Sequence, residues 1–368
     1  MPRPYPLPAF RSIKGRLTAS HEDFEFAIMN TPATATSANP SKTTSPATID
    51  RRFCLAPMMD CTDRHFRYFM RRITRRTLLY TEMVTTDAIE HGPRERLLAF
   101  DPVERPLALQ LGGSDPDALA RCARIAALLG FDEVNLNAGC PSERVKSGRF
   151  GACLMAEPKL VAHCMASMID ACDLPVTIKT RIGIDHRDRY EDLLAFIEAV
   201  TEAGCRTVIV HARKAWLSGL SPKQNRDIPP LRPDTVYRLK RDFPETEIVI
   251  NGGITSIEES IEHNQRVDGS MMGREAYRNP FLLADVDRRL FGETHTVSTR
   301  SEIASQMIDY TRGEIENGTR LHSITRHLLG LFHATPGARR WRRYLSTEAP
   351  RRNDPRVIEE AAAQSRCE

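Results

Sequence analysis

From Phe53 to Gly273 the chain repeats one pattern: a short apolar run ends in small or polar residues, and a longer amphipathic stretch follows. The runs are Phe53–Met59, Leu78–Val84, Leu107–Gly112, Glu133–Asn137, Val176–Arg181, Thr207–His211, Glu247–Asn251 and Gly269–Gly273. Their nearly continuous apolar character is that of parallel strands covered on both faces. Between them lie stretches with helical periodicity, such as Pro116–Leu129 and Glu191–Ala203. Eight strand–helix units in about 230 residues predict an α/β fold of the (β/α)8 TIM-barrel type. The rival is a doubly wound nucleotide fold, whose first turn usually carries G-x-G-x-x-G. The sequence contains no GxG and no GK.

After Ser298 the strand pattern stops. Ile303–Asn317, Ser323–Phe332 and Pro336–Leu345 read as helices, a small C-terminal helical domain. The expected organisation is a flexible leader over 1–50, a barrel over 51–297, a helical domain over 298–345 and a basic tail over 346–368. The leader follows from composition: four prolines within Met1–Pro8, then a Thr-, Ala-, Ser-, Pro- and Asn-rich stretch from Thr31 to Ile49. Such a segment cannot bury enough apolar surface to offset its ordering entropy. It lacks the apolar core of a secretory signal, and Met29 offers a second start. No apolar run approaches the roughly 18 residues of a membrane span. Nine cysteines without a CxxC pair make neither a zinc site nor a disulfide framework, and point to a reducing cytoplasm.

The net charge of +4 does not by itself argue for a nucleic-acid partner. Its distribution does more: Arg339, Arg340, Arg342, Arg343, Arg351, Arg352 and Arg356 crowd the last stretch. That cluster reads either as a phosphate footprint or as a solvated helix face.

A barrel builds its site at the carboxyl ends of its strands. Here those ends carry Pro57-Met58-Met59, Gln110, Asn137 with Cys140, Lys179-Thr180-Arg181, His211-Ala212-Arg213, Asn251-Gly252-Gly253 and Gly273-Arg274. The last two turns let backbone N–H groups and a guanidinium approach a phosphate; alternatively their glycines only serve turns. Lys179 suits the anionic edge of a reduced flavin, or the Schiff base of an aldolase. Gln110 both donates and accepts, as a flavin pyrimidine edge requires. His211 reads as a hydrogen-bonding partner of cofactor or substrate, or as a satisfied core histidine. Cys140 sits between Gly139 and Pro141 on a sharp loop past the fourth run, where a thiol of pKa about 8.5 can donate a proton. The other eight cysteines read as inert core residues.

The segments APMMDCTDRHFR, LQLGG, NLNAGCPSERV, GACLM, IKTRIG, VHARKAWLSGLSPKQNR, INGGI and MGREAYRNP fall in the order seen in the tRNA-dihydrouridine synthase family, which this chain resembles over about residues 53–345. RHLLGLFHATPGARRWRRYLS resembles the A subfamily. The resemblance implies FMN at the barrel mouth, with Pro57, Met58 and Met59 backing its ring. It implies that Gln110, Lys179 and His211 hold the ring and side chain, and that Asn251, Gly252, Gly253, Gly273 and Arg274 hold the phosphate. Cys140 matches the family's proton donor, and Asn137 lies beside the target base. Lys223, Arg226, Arg339 and Arg342 match positions that grip tRNA. No departure occurs at these positions. The implied reaction is reduction of uridine at positions 20 and 20a of the tRNA D-loop, with NADPH reducing FMN, hydride passing to C6 and a proton from Cys140 to C5. The expected protein is a cytoplasmic monomer whose partner is tRNA, with no metal and no membrane. A flavin reductase of a free pyrimidine and a non-catalytic tRNA-binding protein are the alternatives.

Overall fold

The computed structural model describes residues 49–142, 145 and 148–365. The expected leader lies outside these residues, apart from Ile49 and Asp50. Nine parallel strands form one sheet: β1 (Phe53–Leu55), β2 (Leu79–Tyr80), β3 (Val84–Thr85), β4 (Leu107–Gly112), β5 (Glu133–Ala138), β6 (Val176–Arg181), β7 (Thr207–His211), β8 (Glu247–Asn251) and β9 (Gly269–Met272). The order runs β1-β9-β8-β7-β6-β5-β4-β2, and a bridge from Cys54 to Leu78 joins the two ends. This is the expected (β/α)8 barrel. The second run divides in two: β2 and β3 pair with different stretches of β4, and after the bond from the Thr81 N–H to the Ala108 carbonyl, Glu82 and Met83 belong to neither strand.

Side-chain alternation along the strands separates two interiors. Phe53, Leu55, Leu109, Val134, Leu136, Ile178, Val208 and Ile250 face the surrounding helices. Cys54, Ala56, Tyr80, Ala108, Ile209, Val249 and Met271 fill the barrel itself. Helix α1 (Arg64–Ile73) follows β1, capped by Asp63, whose side chain accepts from the N–H of His65 and Phe66. Between β4 and β5 runs α2 (Pro116–Leu129). Asp115 caps its first turn and Gly130, at φ +85°, ends it, the usual asymmetry of helix ends. Equivalent helices follow β5, β6, β7 and β8.

The expected C-terminal helices form as α3 (Arg300–Glu316), α4 (Leu321–Leu328) and α5 (Ala338–Glu348). A fourth helix, α6 (Arg356–Ser365), lies in the stretch read as a basic tail. Val357, Ile358 and Ala361 are buried, and α6 packs on α3 and α5. Its apolar stripe is short and alanine-rich, and of the arginines that gave the tail its basic reading, Arg351 and Arg352 precede it. From Ile49 onward the chain is one compact unit. Its helical segment meets α1 through charge. Asp63 accepts from Arg326 at 2.8 Å and from His327 at 2.9 Å, and Arg64 pairs with Glu314. No described helix is long and apolar enough to cross a membrane.

Candidate active site

The barrel mouth opens into a cavity of about 1090 Å³. The loop after β1 brings Pro57, Met58 and Met59 to it, and β4 brings Gln110. Asn137 and Cys140 enter from the end of β5, Lys179 from β6 and His211 from β7. Asn251, Gly252 and Gly253 follow β8, and Gly273 and Arg274 follow β9. Lys223 and Arg226 reach the same cavity from the loop after β7. Arg339 and Arg342 line a separate depression of about 440 Å³ at the start of α5.

Local bonding holds each wall. The N–H of Met58 donates to Thr62 Oγ1 at 3.0 Å, which sets the loop that leaves Met59 51% exposed. The oxygen Oδ1 of Asn137 accepts from the N–H groups of Gly139 and Cys140, both at 3.0 Å. Arg181 Nε donates to the Gly139 carbonyl at 2.8 Å, and its Nη1 donates to the carbonyls of Lys214 and Asn225. The Cys140 loop is thereby tied to the loop carrying Lys223 and Arg226. The half-buried Cys140 thiol lies 3.6 Å from Ser142 Oγ.

Opposed to carboxylates elsewhere, one wall is cationic. Lys179 Nζ donates to Asn251 Oδ1 at 3.0 Å. Burial, reinforced by Arg181, lowers the Lys179 pKa to about 7. Burial first, then Arg181 and Lys179, hold His211 well below its ordinary value, so the ring is neutral at physiological pH. Among Lys179, Arg181, Arg226 and Arg274, which line the cavity, only Arg274 pairs with a carboxylate among the described residues, Asp227 at 2.8 Å. Arg213 lies outside the cavity lining: its Nη1 donates to the Pro229 carbonyl, and its Nε is buried without a hydrogen-bond partner. Gly252 at φ +113° and Gly253 at φ +79° bound this wall. A Cβ on Gly252 would lie 2.4 Å from His211 Cδ2, and one on Gly253 2.4 Å from Leu231 Cδ1. The packing of His211 and Leu231 and the positive φ values therefore admit only glycine there.

Arg181 was within reach of sequence reasoning as a site residue. It lies two positions after the expected Lys179 on the same strand, and strand residues two apart share a face. Cys61 corrects an expectation: it is not an inert core residue but lines the cavity, half-buried. Burial and then Glu82 raise its pKa. The arginine cluster also divides. Arg351, Arg352 and Arg356 pair with Glu348, Glu360 and Asp354, as a solvated face would. Arg339 and Arg342 are exposed.

A model of the dihydrouridine synthase family matches residues 54–366. The chain belongs to the dihydrouridine synthase family. The tRNA-dihydrouridine(20/20a) synthase of Synechocystis sp. is 60% identical over 292 residues, which cover 79% of this chain and 87% of that protein. Its counterpart in Shewanella oneidensis is 59% identical over 301 residues, 82% and 90% of the two chains. That of Escherichia coli K12 is 56% identical over 328 residues, 89% and 94%. For a dihydrouridine synthase the aldolase reading of Lys179 falls away, although a lysine of pKa about 7 would suit a Schiff base.

Proposed function

We propose that this dihydrouridine synthase reduces uridine to 5,6-dihydrouridine in the D-loop of tRNA, with FMN at the barrel mouth and NADPH as the electron source. The relatives' names give the target positions as 20 and 20a. The observation that carries the reading is the half-buried thiol of Cys140 in the same cavity as a wall of converging cations.

The residues present fit FMN. The backbone at Gly252 and Gly253, the guanidinium of Arg274 and that of Arg226, which pairs with no carboxylate among the described residues, all line the cavity and make a donor set for a phosphate. Bound there, FMN supplies a hydride for C6 of the base. The ammonium of Lys179, steadied by Asn251, offsets negative charge that develops during reduction. Gln110 offers both a donor and an acceptor to a pyrimidine edge, and neutral His211 can do the same for the side chain. Pro57, Met58 and Met59 present an apolar surface to a planar ring. Cys140 Sγ holds the proton that C5 of uracil receives, and Asn137 keeps one N–H for the base.

A base stacked inside tRNA must be extruded, at a cost of a few kcal/mol. Lys223 and Arg226 at the rim, with Arg339 and Arg342 on α5, offer phosphate contacts that offset it. A reductase of a free pyrimidine needs none of these. The cytoplasm supplies both tRNA and NADPH, and the protein acts there as a monomer. The purified protein is expected to be yellow and to release FMN on denaturation. Stoichiometric FAD, or protein that takes up no flavin, contradicts the reading.

A further inference from the structure

The barrel interior is not uniformly apolar. At its amino-terminal end, Arg51 donates to Glu133 Oε2 at 2.8 Å and to Glu247 Oε2 at 2.8 Å. From Glu133 an unbroken file of side-chain hydrogen bonds climbs to the cavity. Thr177 Oγ1 donates to Glu133 Oε1 at 2.6 Å. Asn135 Nδ2 donates to Thr177 Oγ1 at 2.8 Å, and Gln110 Nε2 donates to Asn135 Oδ1 at 2.8 Å. Asn137 Nδ2 donates to Gln110 Oε1 at 2.9 Å. The N–H groups of Gly139 and Cys140 donate to Asn137 Oδ1. Glu133, Asn135, Gln110 and Thr177 are almost completely buried, so no solvent repairs a broken link.

The chemistry at the two ends forces one direction on the file. A carboxylate only accepts, so the Thr177 hydroxyl spends its one proton downward and is left to accept from Asn135. At the top, backbone N–H groups only donate. Each carboxamide between them has one orientation that satisfies both neighbours. If Asn137 turned over, its NH2 would face the donors of Gly139 and Cys140, and the loop would lose its anchor.

We propose that Glu133 is a positioning residue: through Thr177 and Asn135 it orients the amides of Gln110 and Asn137 and so the loop that presents Cys140. In that orientation Gln110 keeps one N–H and one lone pair, and Asn137 one N–H, for whatever the cavity holds. The proposal rests on the reading of Cys140 as proton donor. It adds a cause, on the far side of the barrel, for the posture of that loop.

Thr177→Val removes the hydroxyl with little change of shape and leaves the Arg51–Glu133 pair intact; Thr177→Ser restores the link. Two measurements are needed. The first is hydrogen exchange of the Gly139 and Cys140 amides in flavin-free protein. Exchange is expected to quicken about tenfold in Thr177→Val, the scale of one lost hydrogen bond. The second is oxidation of the flavin-loaded, NADPH-reduced enzyme by tRNA. It is expected to slow about 10- to 100-fold, as for a misplaced reacting group, with an unchanged KM for tRNA. Thr177→Ser returns both to within about twofold of the starting protein. Tyr80→Phe removes a donor to Glu133 Oε1 that lies off the file, and is expected to change neither. Thr177→Val with native exchange and native oxidation overturns the proposal, as does Tyr80→Phe with an equal loss. Should Thr177→Val not fold, Glu133→Gln carries the same test, because a carboxamide no longer forces the direction. A starting protein that forms no dihydrouridine counts against the proposed function instead, and the exchange measurement still decides the file.

Discussion

Lys179 and Cys140 share a cavity and, in the proposed function, make opposite demands on protons. Lys179 has to be charged when it meets negative charge, yet burial and Arg181 set its pKa at about 7 in the free protein. An anion bound nearby favours the charged form. Binding therefore takes up a proton wherever free Lys179 is neutral, which is above about pH 7. FMN affinity is expected to be flat below that pH and to weaken above it, by up to about tenfold per unit. Lys179→Met is expected to flatten the profile. Fluorescence titration of FMN across this range measures it; a flat profile in the unsubstituted protein contradicts the assignment. In the proposed reaction Cys140 has to give its proton up. In Cys140→Ala, reduction of the flavin by NADPH is expected to persist, while oxidation by tRNA slows about 10²- to 10⁴-fold, the span of a positioned acid. Stopped-flow measurement of the two half-reactions separates them, and undiminished tRNA oxidation would return the cysteine to a structural role. The residues expected to hold the cofactor, together with Asn137 and Cys140, all line the cavity, whereas Thr180, Ala212 and Arg213 at the same strand ends do not. Arg181 was equally legible through the two-residue period. Cys61 was not, because nothing local in Asp-Cys-Thr-Asp says that the loop after β1 turns toward the cavity.

At the scale of elements, the strands were legible because burial on both faces leaves continuous apolar runs. The division of β2 from β3 was not, since it depends on which part of β4 each one meets. Helix α6 escaped notice because Val357 and Ile358 are its only large apolar residues and small residues supply the rest of its buried face. The docking of the helical segment was also hidden, being carried by pairs far apart in sequence. Asp63 shows how: it caps α1 and accepts from both Arg326 and His327. Burial alone would raise its pKa, but His327 and Arg326 hold it well below the carboxylate range. Its contribution is thus fully present above about pH 4 and is lost as pH falls further. Asp63→Ala is expected to cost about 2–4 kcal/mol at neutral pH, from the lost cap and the stranded buried partner. Urea unfolding measures this, and a cost below about 1 kcal/mol would place the docking energy elsewhere. On α5, Arg339 and Arg342 lie three apart and share a face. Removing both is expected to weaken tRNA binding and to reduce the slope of log affinity against log salt by up to about one unit per charge. An unchanged slope would make them a solvated face.

The whole molecule divides its labour along the barrel axis. One end is closed by the ion pairs of Arg51 with Glu133 and Glu247. The other opens on a cavity whose wall is cationic and whose thiol is half-exposed. Lys223 and Arg226 at the rim and the exposed arginines of α5 beyond it present charge on a scale that suits a folded nucleic acid rather than a free base. Catalysis at the mouth and recognition beyond it make one claim together: the substrate is a uridine held within tRNA. That claim is tested most directly by incubating tRNA that lacks dihydrouridine with the purified, FMN-loaded protein and NADPH, alongside free uridine, and mapping the products by mass spectrometry. The account predicts the addition of two hydrogens to a D-loop uridine and none to free uridine. Unmodified tRNA from a protein whose flavin is fully reduced, or free uridine reduced as readily as tRNA, would contradict it.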